Sequence, residues 1–317
     1  MPQVSIIIPT YQRARLLGDT LIALLAQTLT DWEIIVADDG STDDTPETVA
    51  HFRDNRVRYL RCGHLGMPQI WNQALPLAQG EYLMTCHDHD VYNRTLLAEL
   101  GGLLDRYPTA VYAHCGIIGV DASGAEVRRY MLDCPELMCG MDFLVNVLLP
   151  GLDSKVTALT MFRRAAIDGL GLDPSFGEAA DVEFWMRLAC LGDVAYTPKL
   201  LIGVRERDQA SQLYYRGARM ADRVLAAKRR YLPTIKDPAQ RRLVEAGWHR
   251  AMPRLAFAEW LRISGAGLPE EEDFLLQFIR REGGTLTARL LWILSRLPSS
   301  FSRGILRAGK RLTKFQR

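Results

Sequence analysis

The chain has 317 residues, 48% of them hydrophobic and 24% charged, with a formal net charge of +2. That balance excludes global disorder, near-neutrality argues against a dedicated nucleic-acid binder, and the length allows one large domain or two ordinary ones. The small net charge hides an asymmetry: residues 280–317 hold ten Lys and Arg against one acid, a net +9, while the rest holds 29 bases against 36 acids, a net −7.

Six cysteines are scattered without CxxC spacing. The chain's size argues against a disulfide framework and the spacing excludes a zinc ribbon, leaving reduced, mostly buried thiols. The opening MPQVSIII lacks a basic stretch and a small-residue cleavage site, and no apolar run is long enough to span a bilayer. The expectation is a cytoplasmic protein, unless its tail takes it to the inner face of the cell membrane.

The β-branched run Val4-Ser5-Ile6-Ile7-Ile8 ends at Pro9 and predicts a buried strand. Residues 16–27 carry apolar side chains at helical spacing. A second strand, 32–37, runs into the polar turn Asp38-Asp39-Gly40-Ser41-Thr42-Asp43-Asp44, and Thr45-Pro46-Glu47 opens a helix with Thr45 as its cap. Strands follow at 57–60 and 81–86, with a helix over 68–78 between them. The alternation implies a mainly parallel sheet covered by helices, with ligands beyond the carboxyl ends of its strands. Both acidic clusters, 38–39 and 88–90, fall there.

Further strands are expected at 111–120, 126–131 and 157–163, and a hairpin or two short strands at 194–204. A helix over 181–190 follows a Gly- and Ala-rich loop. After about 210 only helical patterns remain, at 210–231, 238–262, 270–282 and 286–297. The expected domains are therefore an α/β domain over 1–214 and a helical C-terminal region over 215–317.

The run from Val4 through Pro9-Thr10-Tyr11-Gln12-Arg13, an apolar helix with Gln27-Thr28, and the strand leading into Asp38-Asp39-Gly40-Ser41-Thr42-Asp43-Asp44-Thr45 together resemble the start of family 2 glycosyltransferases. The likeness continues through Asn72, Ala74, Ala78-Gln79-Gly80-Glu81-Tyr82 and the 88–90 cluster, and returns at 178–211. It covers about the first 210 residues. It implies the GT-A fold, an inverting enzyme, a nucleotide-sugar donor and a divalent cation, Mn²⁺ or Mg²⁺.

The chemistry asked of these residues is concrete. Tyr11, with Pro9 and Thr10 at the first strand end, is placed to stack a base, and a carboxylate such as Asp39 can accept from a pyrimidine N–H. By resemblance Asp39 reads a uracil or thymine edge; as a plain structural feature, Asp38 and Asp39 make an Asx turn. Arg13 and Asp88 also belong to the donor site. Asp88-His89-Asp90 stands at the DxD position, where hard oxygen ligands suit a divalent cation on the diphosphate. Asp88, His89 and Asp90 are all candidate ligands, Asp88 being alternatively turned to the ribose. His87 and His89 otherwise read as polar filler.

The helix-opening Ala180-Asp181-Val182-Glu183-Phe184-Trp185-Met186-Arg187-Leu188 resembles the family's base motif, with Asp181 as general base. Ala180 replaces the usual acid before it. Arg207 stands where the family often has a histidine, and an arginine there can contact the diphosphate directly. Inversion at the anomeric carbon, by a single displacement with one base and no second nucleophile, is what the family resemblance implies; spacing alone does not show it.

Residues 286–297 are apolar with sparse arginine, and 301–315 interleave Phe301, Ile305, Leu306, Leu312 and Phe315 with five Arg and Lys. The tail reads either as a helix packed on the body with a solvated basic face or as a basic amphipathic helix for an anionic membrane interface. The expected partners are a nucleotide-sugar and a glycan or lipid-linked acceptor, without nucleic acid; oligomeric state is not legible. The rival reading is a non-catalytic nucleotide-sugar or glycan-binding protein. A sugar nucleotidyltransferase would need a glycine-rich basic loop where Pro9-Thr10-Tyr11 stand.

Overall fold

A computed structural model describes residues 2–121, 123–152, 160–167, 169–205, 218–264 and 269–282. The chain divides into two compact units, residues 1–149 with 154–206, and residues 150–153 with 207–317. Arg207, the start of the strand expected at 157–163, the start of the helix expected at 210–231, and the tail at 286–317 lie outside the described residues.

The first unit is α/β. Its ten strands are β1 (Val4–Thr10), β2 (Trp32–Asp38), β3 (Val57–Arg61), β4 (Tyr82–Thr85), β5 (Val91–Tyr92), β6 (Ala110–Val120), β7 (Glu126–Tyr130), β8 (Leu137–Met138), β9 (Met161–Arg163) and β10 (Asp193–Arg205). They form one sheet in the order β3-β2-β1-β4-β9-β6-β10-β5, with β7 on β6 and β8 on β10. β1, β2, β3 and β4 pair in parallel, as do β6 and β10. β9 lies antiparallel between β4 and β6, so β4 and β6 point the same way. The carboxyl ends of β1 to β4, β6 and β10 therefore share one edge of the sheet.

β1 and β2 are buried on both faces, which is why their apolar runs are continuous rather than alternating. Helices α1 (Ala14–Leu25), α2 (Thr45–His51), α3 (Met67–Ala74), α4 (Leu96–Arg106), α5 (Gly140–Phe143) and α6 (Ala180–Ala189) complete the unit. Leu17, Leu21 and Leu24 of α1 and Leu96, Leu97, Leu100, Leu103 and Leu104 of α4 share a core with Ile6, Ile8, Ile34 and Met84. α4 is not among the elements expected from the sequence, although those leucines sit at helical spacing.

The hairpin or strand pair expected at 194–204 is instead one strand, β10, paired parallel to β6 along its length. Its register shifts between Thr197 and Leu200. Pro198 lies in that shift, where its missing N–H costs no ladder bond.

A buried polar node ties the first strand to the turn before β4. Ser5 Oγ donates to Glu33 Oε1 at 2.6 Å and accepts the Gly80 N–H at 2.7 Å. The Gln79 N–H donates to the same Glu33 oxygen at 2.7 Å. Gly80 is obligatory here: a Cβ would lie 2.5 Å from Ser5 N and 2.8 Å from Ser5 Oγ.

His114, on β6, is enclosed by Tyr112, Phe143 and Tyr196, and its Nε2 meets no hydrogen-bond partner. Burial alone pushes its imidazole down to about 3. Unfolded histidine takes a proton below about pH 6.5, whereas this one stays neutral. Its contribution to stability is thus intact above that pH and is lost as pH falls toward 3, by about 1.4 kcal/mol per unit. Between pH 7.5 and 5, urea unfolding is expected to show the wild type losing about 2 kcal/mol more than His114→Leu. Equal losses in the two proteins would contradict this account.

The second unit is helical: α7 (Ala218–Tyr231), α8 (Pro238–Ser264) and α9 (Pro269–Glu282). Trp248, Met252, Trp260, Leu275, Phe278 and Ile279 are buried in it. Glu282 is buried too and accepts from Arg229 at 2.9 Å and Arg281 at 2.7 Å. Lys228, with no exposed surface, donates to the carbonyls of Pro150 and Gly151 at 3.2 and 3.1 Å. These partners satisfy charges that burial would otherwise penalise.

Candidate active site

The strand order places β1 between β2 and β4. The chain leaves β1 toward β2 and β3, then returns to β4 on the other side. The crevice beyond the carboxyl ends of β1 and β4 is therefore a topological switch point, where such sheets bind ligands.

At the end of β1, Thr10 turns its hydroxyl to Asp88 Oδ2 at 2.8 Å, and its carbonyl accepts the Asp39 N–H at 2.9 Å. Gln12 adopts a left-handed conformation, φ 55°. Its N–H donates to Ser41 Oγ at 2.9 Å and its side-chain amide to Thr42 at 2.7 Å. This turn brings Arg13 to the β4 end, where its Nη1 donates to Asp88 Oδ1 at 2.9 Å. Pro9 stays within β1.

The two aspartates ending β2 have different jobs. Asp38 is fully buried; Oδ1 accepts from the Ser41 N–H at 3.0 Å and Ser41 Oγ at 2.5 Å, and Oδ2 from the Tyr59 hydroxyl at 2.5 Å. Asp38 thus makes the Asx turn. Burial, with Asp38 alongside, pushes the Tyr59 phenol up to about 12. Asp39 instead reaches forward, accepting the Leu65 and Gly66 N–H groups at 2.7 and 3.0 Å just before α3. Tyr11 is exposed, and its ring packs against His64 with centroids 4.7 Å apart. His64 is a residue the sequence reading missed, because it stands in a loop outside any motif. It sits 3.7 Å from Asp39 Oδ2, so an aromatic wall and a carboxylate adjoin.

Asp88, His89 and Asp90 are all buried beyond β4. Burial pushes the Asp88 carboxyl up, but His89, Arg13 and Thr10 outweigh it and hold it down at about 2. His89 Nδ1 lies 2.7 Å from Asp88 Oδ1. Asp90 Oδ2 is 2.7 Å from His87 Nδ1, and Oδ1 accepts the Arg205 N–H at 3.0 Å from the end of β10. Burial raises the Asp90 carboxyl and His87 and His89 lower it, with a net depression. Among the described residues, the group able to hold a metal is His87, His89 and Asp90, each offering one ligand atom within 4.8 Å of the others. This donor set fits a divalent cation. His87, not among the ligands expected from the sequence, is part of it, while Asp88 is turned toward Thr10 and Arg13.

Asp181 lies in the first turn of α6, partly exposed, with Oδ1 accepting the Val182 N–H at 2.7 Å. The approach to this helix is fixed from α3. Asn72 donates to the Leu172 carbonyl and accepts the Leu172 N–H, both at 2.8 Å. Gly171 permits that approach, since a Cβ there would lie 2.5 Å from the Asn72 oxygen. Downstream, Arg187 holds Glu183 at 3.0 Å and the Gly171 carbonyl at 2.7 Å, a structural brace. Ala180 is fully buried, which leaves no room for a solvated acid.

Comparison with known proteins agrees with this architecture. An uncharacterized glycosyltransferase of Rickettsia prowazekii is 27% identical over 209 residues, 64% of this chain and 64% of that one. The poly(ribitol-phosphate) β-N-acetylglucosaminyltransferase TarS of Staphylococcus aureus is 26% identical over 155 residues, 47% of this chain and 27% of its own length. The chain thus covers less than two thirds of these relatives. Among solved structures, a crystal structure of S. aureus TarS superposes with a TM-score of 0.56 at 17% identity, covering 89% of this chain and 90% of that one. A Pyrobaculum calidifontis mannosyltransferase in complex with GDP-Man and Mn²⁺ superposes with a TM-score of 0.56 at 20% identity, covering 97% of this chain and 84% of that one. These likenesses establish the GT-A fold. Residues 5–171, just over half the chain, match Glycosyl transferase family 2, and the chain belongs to that family.

Proposed function

We propose that this glycosyltransferase moves a sugar from a UDP- or dTDP-linked donor to a hydroxyl of a glycan or lipid-linked glycan, with inversion at the anomeric carbon. The observation that carries the reading is the convergence of Thr10, Arg13, Asp39 and the 87–90 cluster at the switch point between β1 and β4. Solved relatives of this fold hold UDP, UDP-GlcNAc or GDP-Man. The pyrimidine preference rests on Tyr11 beside Asp39, whose carboxylate oxygens each keep a lone pair for a base N–H.

Asp181 is the general base, taking the acceptor's proton as its oxygen attacks. Its ionised form is favoured by the α6 N-terminus. Arg13, locked on Asp88, brings positive charge to the donor side. His87, His89 and Asp90 are the residues to hold a divalent cation. When bound, such an ion supplies Lewis-acid charge to the leaving diphosphate. The acceptor's membrane is addressed by the basic segment 286–317 of the C-terminal region; among the described residues, no helix is long and apolar enough to cross a bilayer.

A panel of UDP-, dTDP- and GDP-sugars, assayed for hydrolysis and transfer with and without Mn²⁺, tests the reading. Turnover of at least one pyrimidine donor, stimulated by Mn²⁺, is expected. A protein that binds a donor but turns over none of them would be the non-catalytic alternative.

A further inference from the structure

We infer that Asp88 acts from outside the metal shell, orienting His89 so that its Nε2 faces a cation shared with His87 and Asp90, and that this nitrogen-rich set takes Mn²⁺ in preference to Mg²⁺. The inference rests on reading the 87–90 cluster as a metal site. It adds which atoms bind, which side chain positions them and which ions the set selects.

The tautomer follows from donor arithmetic. His89 Nδ1 is 2.7 Å from Asp88 Oδ1 and 3.1 Å from Arg13 Nη1. A guanidinium only donates and an ionised carboxylate only accepts. Arg13 also lies 2.9 Å from the same Asp88 oxygen. The arrangement is consistent when both Nδ1–H and Nη1–H point at Asp88 Oδ1, with Thr10 on Oδ2. Nδ1 then carries the hydrogen, and the lone pair is on Nε2. That nitrogen lies 3.9 Å from Asp90 Oδ1, on the side where His87 and Asp90 gather. A carboxylate behind an imidazole, fixing its tautomer and ring plane, is the usual outer partner of a metal-bound histidine.

Asp88 is poorly placed to be a ligand itself. Three donors, Thr10, Arg13 and His89, converge on its two oxygens, and it stands outside the group of ligand atoms that His87, His89 and Asp90 form within 4.8 Å of one another. Asp90 is held for the task from the opposite side by the Arg205 backbone. The rings of His87 and His89 lie parallel, 1° apart in plane with centroids 5.3 Å apart, and each has a ring nitrogen within 4.8 Å of the other ligand atoms of the group.

The ion preference follows from ligand chemistry. Two imidazole nitrogens and one carboxylate oxygen make a softer set than an all-oxygen site. Mg²⁺ requires oxygen ligands in near-octahedral array, whereas later divalent ions accept imidazole readily.

The test is direct Mn²⁺ binding to the full chain, with the metal alone, followed by the electron paramagnetic resonance of free Mn²⁺ and by electron spin echo modulation of the bound ion. The wild type is expected to bind one Mn²⁺ at least tenfold more tightly than Mg²⁺, with ¹⁴N modulation from coordinated imidazole. Asp88→Asn is expected to weaken binding about 10- to 100-fold while the ¹⁴N modulation persists. His89→Ala is expected to lose binding, and Asp181→Asn to leave it unchanged. Bound Mn²⁺ without ¹⁴N modulation in the wild type would overturn the inference without needing any variant. Asp88→Asn binding within twofold of wild type, or equal affinity for Mg²⁺, would also overturn it. In those cases donor turnover stimulated by Mn²⁺ would leave the enzyme reading standing, whereas absence of all donor turnover would remove that reading instead.

Discussion

Asp181→Asn is expected to lower kcat by about 10²- to 10⁴-fold, the range typical of losing a positioned general base. The asparagine is isosteric and can still accept the Val182 N–H that Asp181 Oδ1 accepts at 2.7 Å. The helix start therefore stays intact and the defect is chemical. Donor affinity, measured by nucleotide-sugar titration, is expected to change less than twofold, since Asp181 serves the acceptor. The rate of the variant is expected to lose the rise with pH that reports base ionisation in the wild type. Unchanged turnover would remove Asp181 from the mechanism.

Gly80→Ala is expected to destabilise the first unit by about 3 kcal/mol or more, at the upper end for overpacking. The added methyl would meet Ser5 N at 2.5 Å and the Val4 carbonyl carbon at 2.8 Å, both backbone atoms that cannot rotate away. Relief requires β1 to part from the turn before β4. That breaks the bonds from the Gly80 N–H to Ser5 and from the Gln79 N–H to Glu33. Urea unfolding of the full chain measures the effect, and a loss below about 1 kcal/mol would mean the two segments separate freely. Activity of any folded fraction is expected to fall too, because the same two strands carry Thr10 and lead into the 87–90 cluster at their opposite, carboxyl ends.

The parallel half of the fold was legible because β1, β2 and β4 are buried on both faces and the strands are punctuated by polar turns. Val4 to Ile8 and Trp32 to Ala37 announce themselves by unbroken apolarity. The second half was not. Nothing in the pattern of residues 161–163 tells that β9 enters antiparallel between β4 and β6, since pairing direction is a tertiary outcome. The break expected within 194–204 is instead absorbed in β10 as a register shift around Pro198.

In the site, motif spacing located the strand-end clusters but could not divide labour within them. Asp38 and Asp39 are chemically identical neighbours, separated in role only by which face of the turn each occupies. One ends on Ser41 and Tyr59, the other on the amides before α3. His87 was equally opaque, because its proximity to Asp90 depends on the turn beyond β4 rather than on a spacing rule. Asn72, quoted as part of the family likeness, turns out to clamp the segment ahead of the base helix, 100 positions along the chain.

The contact between the Arg205 amide and Asp90 Oδ1 is made by the peptide group, not by the arginine side chain. As far as this contact goes, any residue but proline would serve at 205, although the Arg205 side chain itself also reaches to 3.9 Å from Asp19. Side-chain scanning passes over such a contact, and sequence variability at 205 would misrepresent it as unimportant. Evolution can rewrite the side chains that follow β10 and retune whatever they meet without disturbing how Asp90 is held.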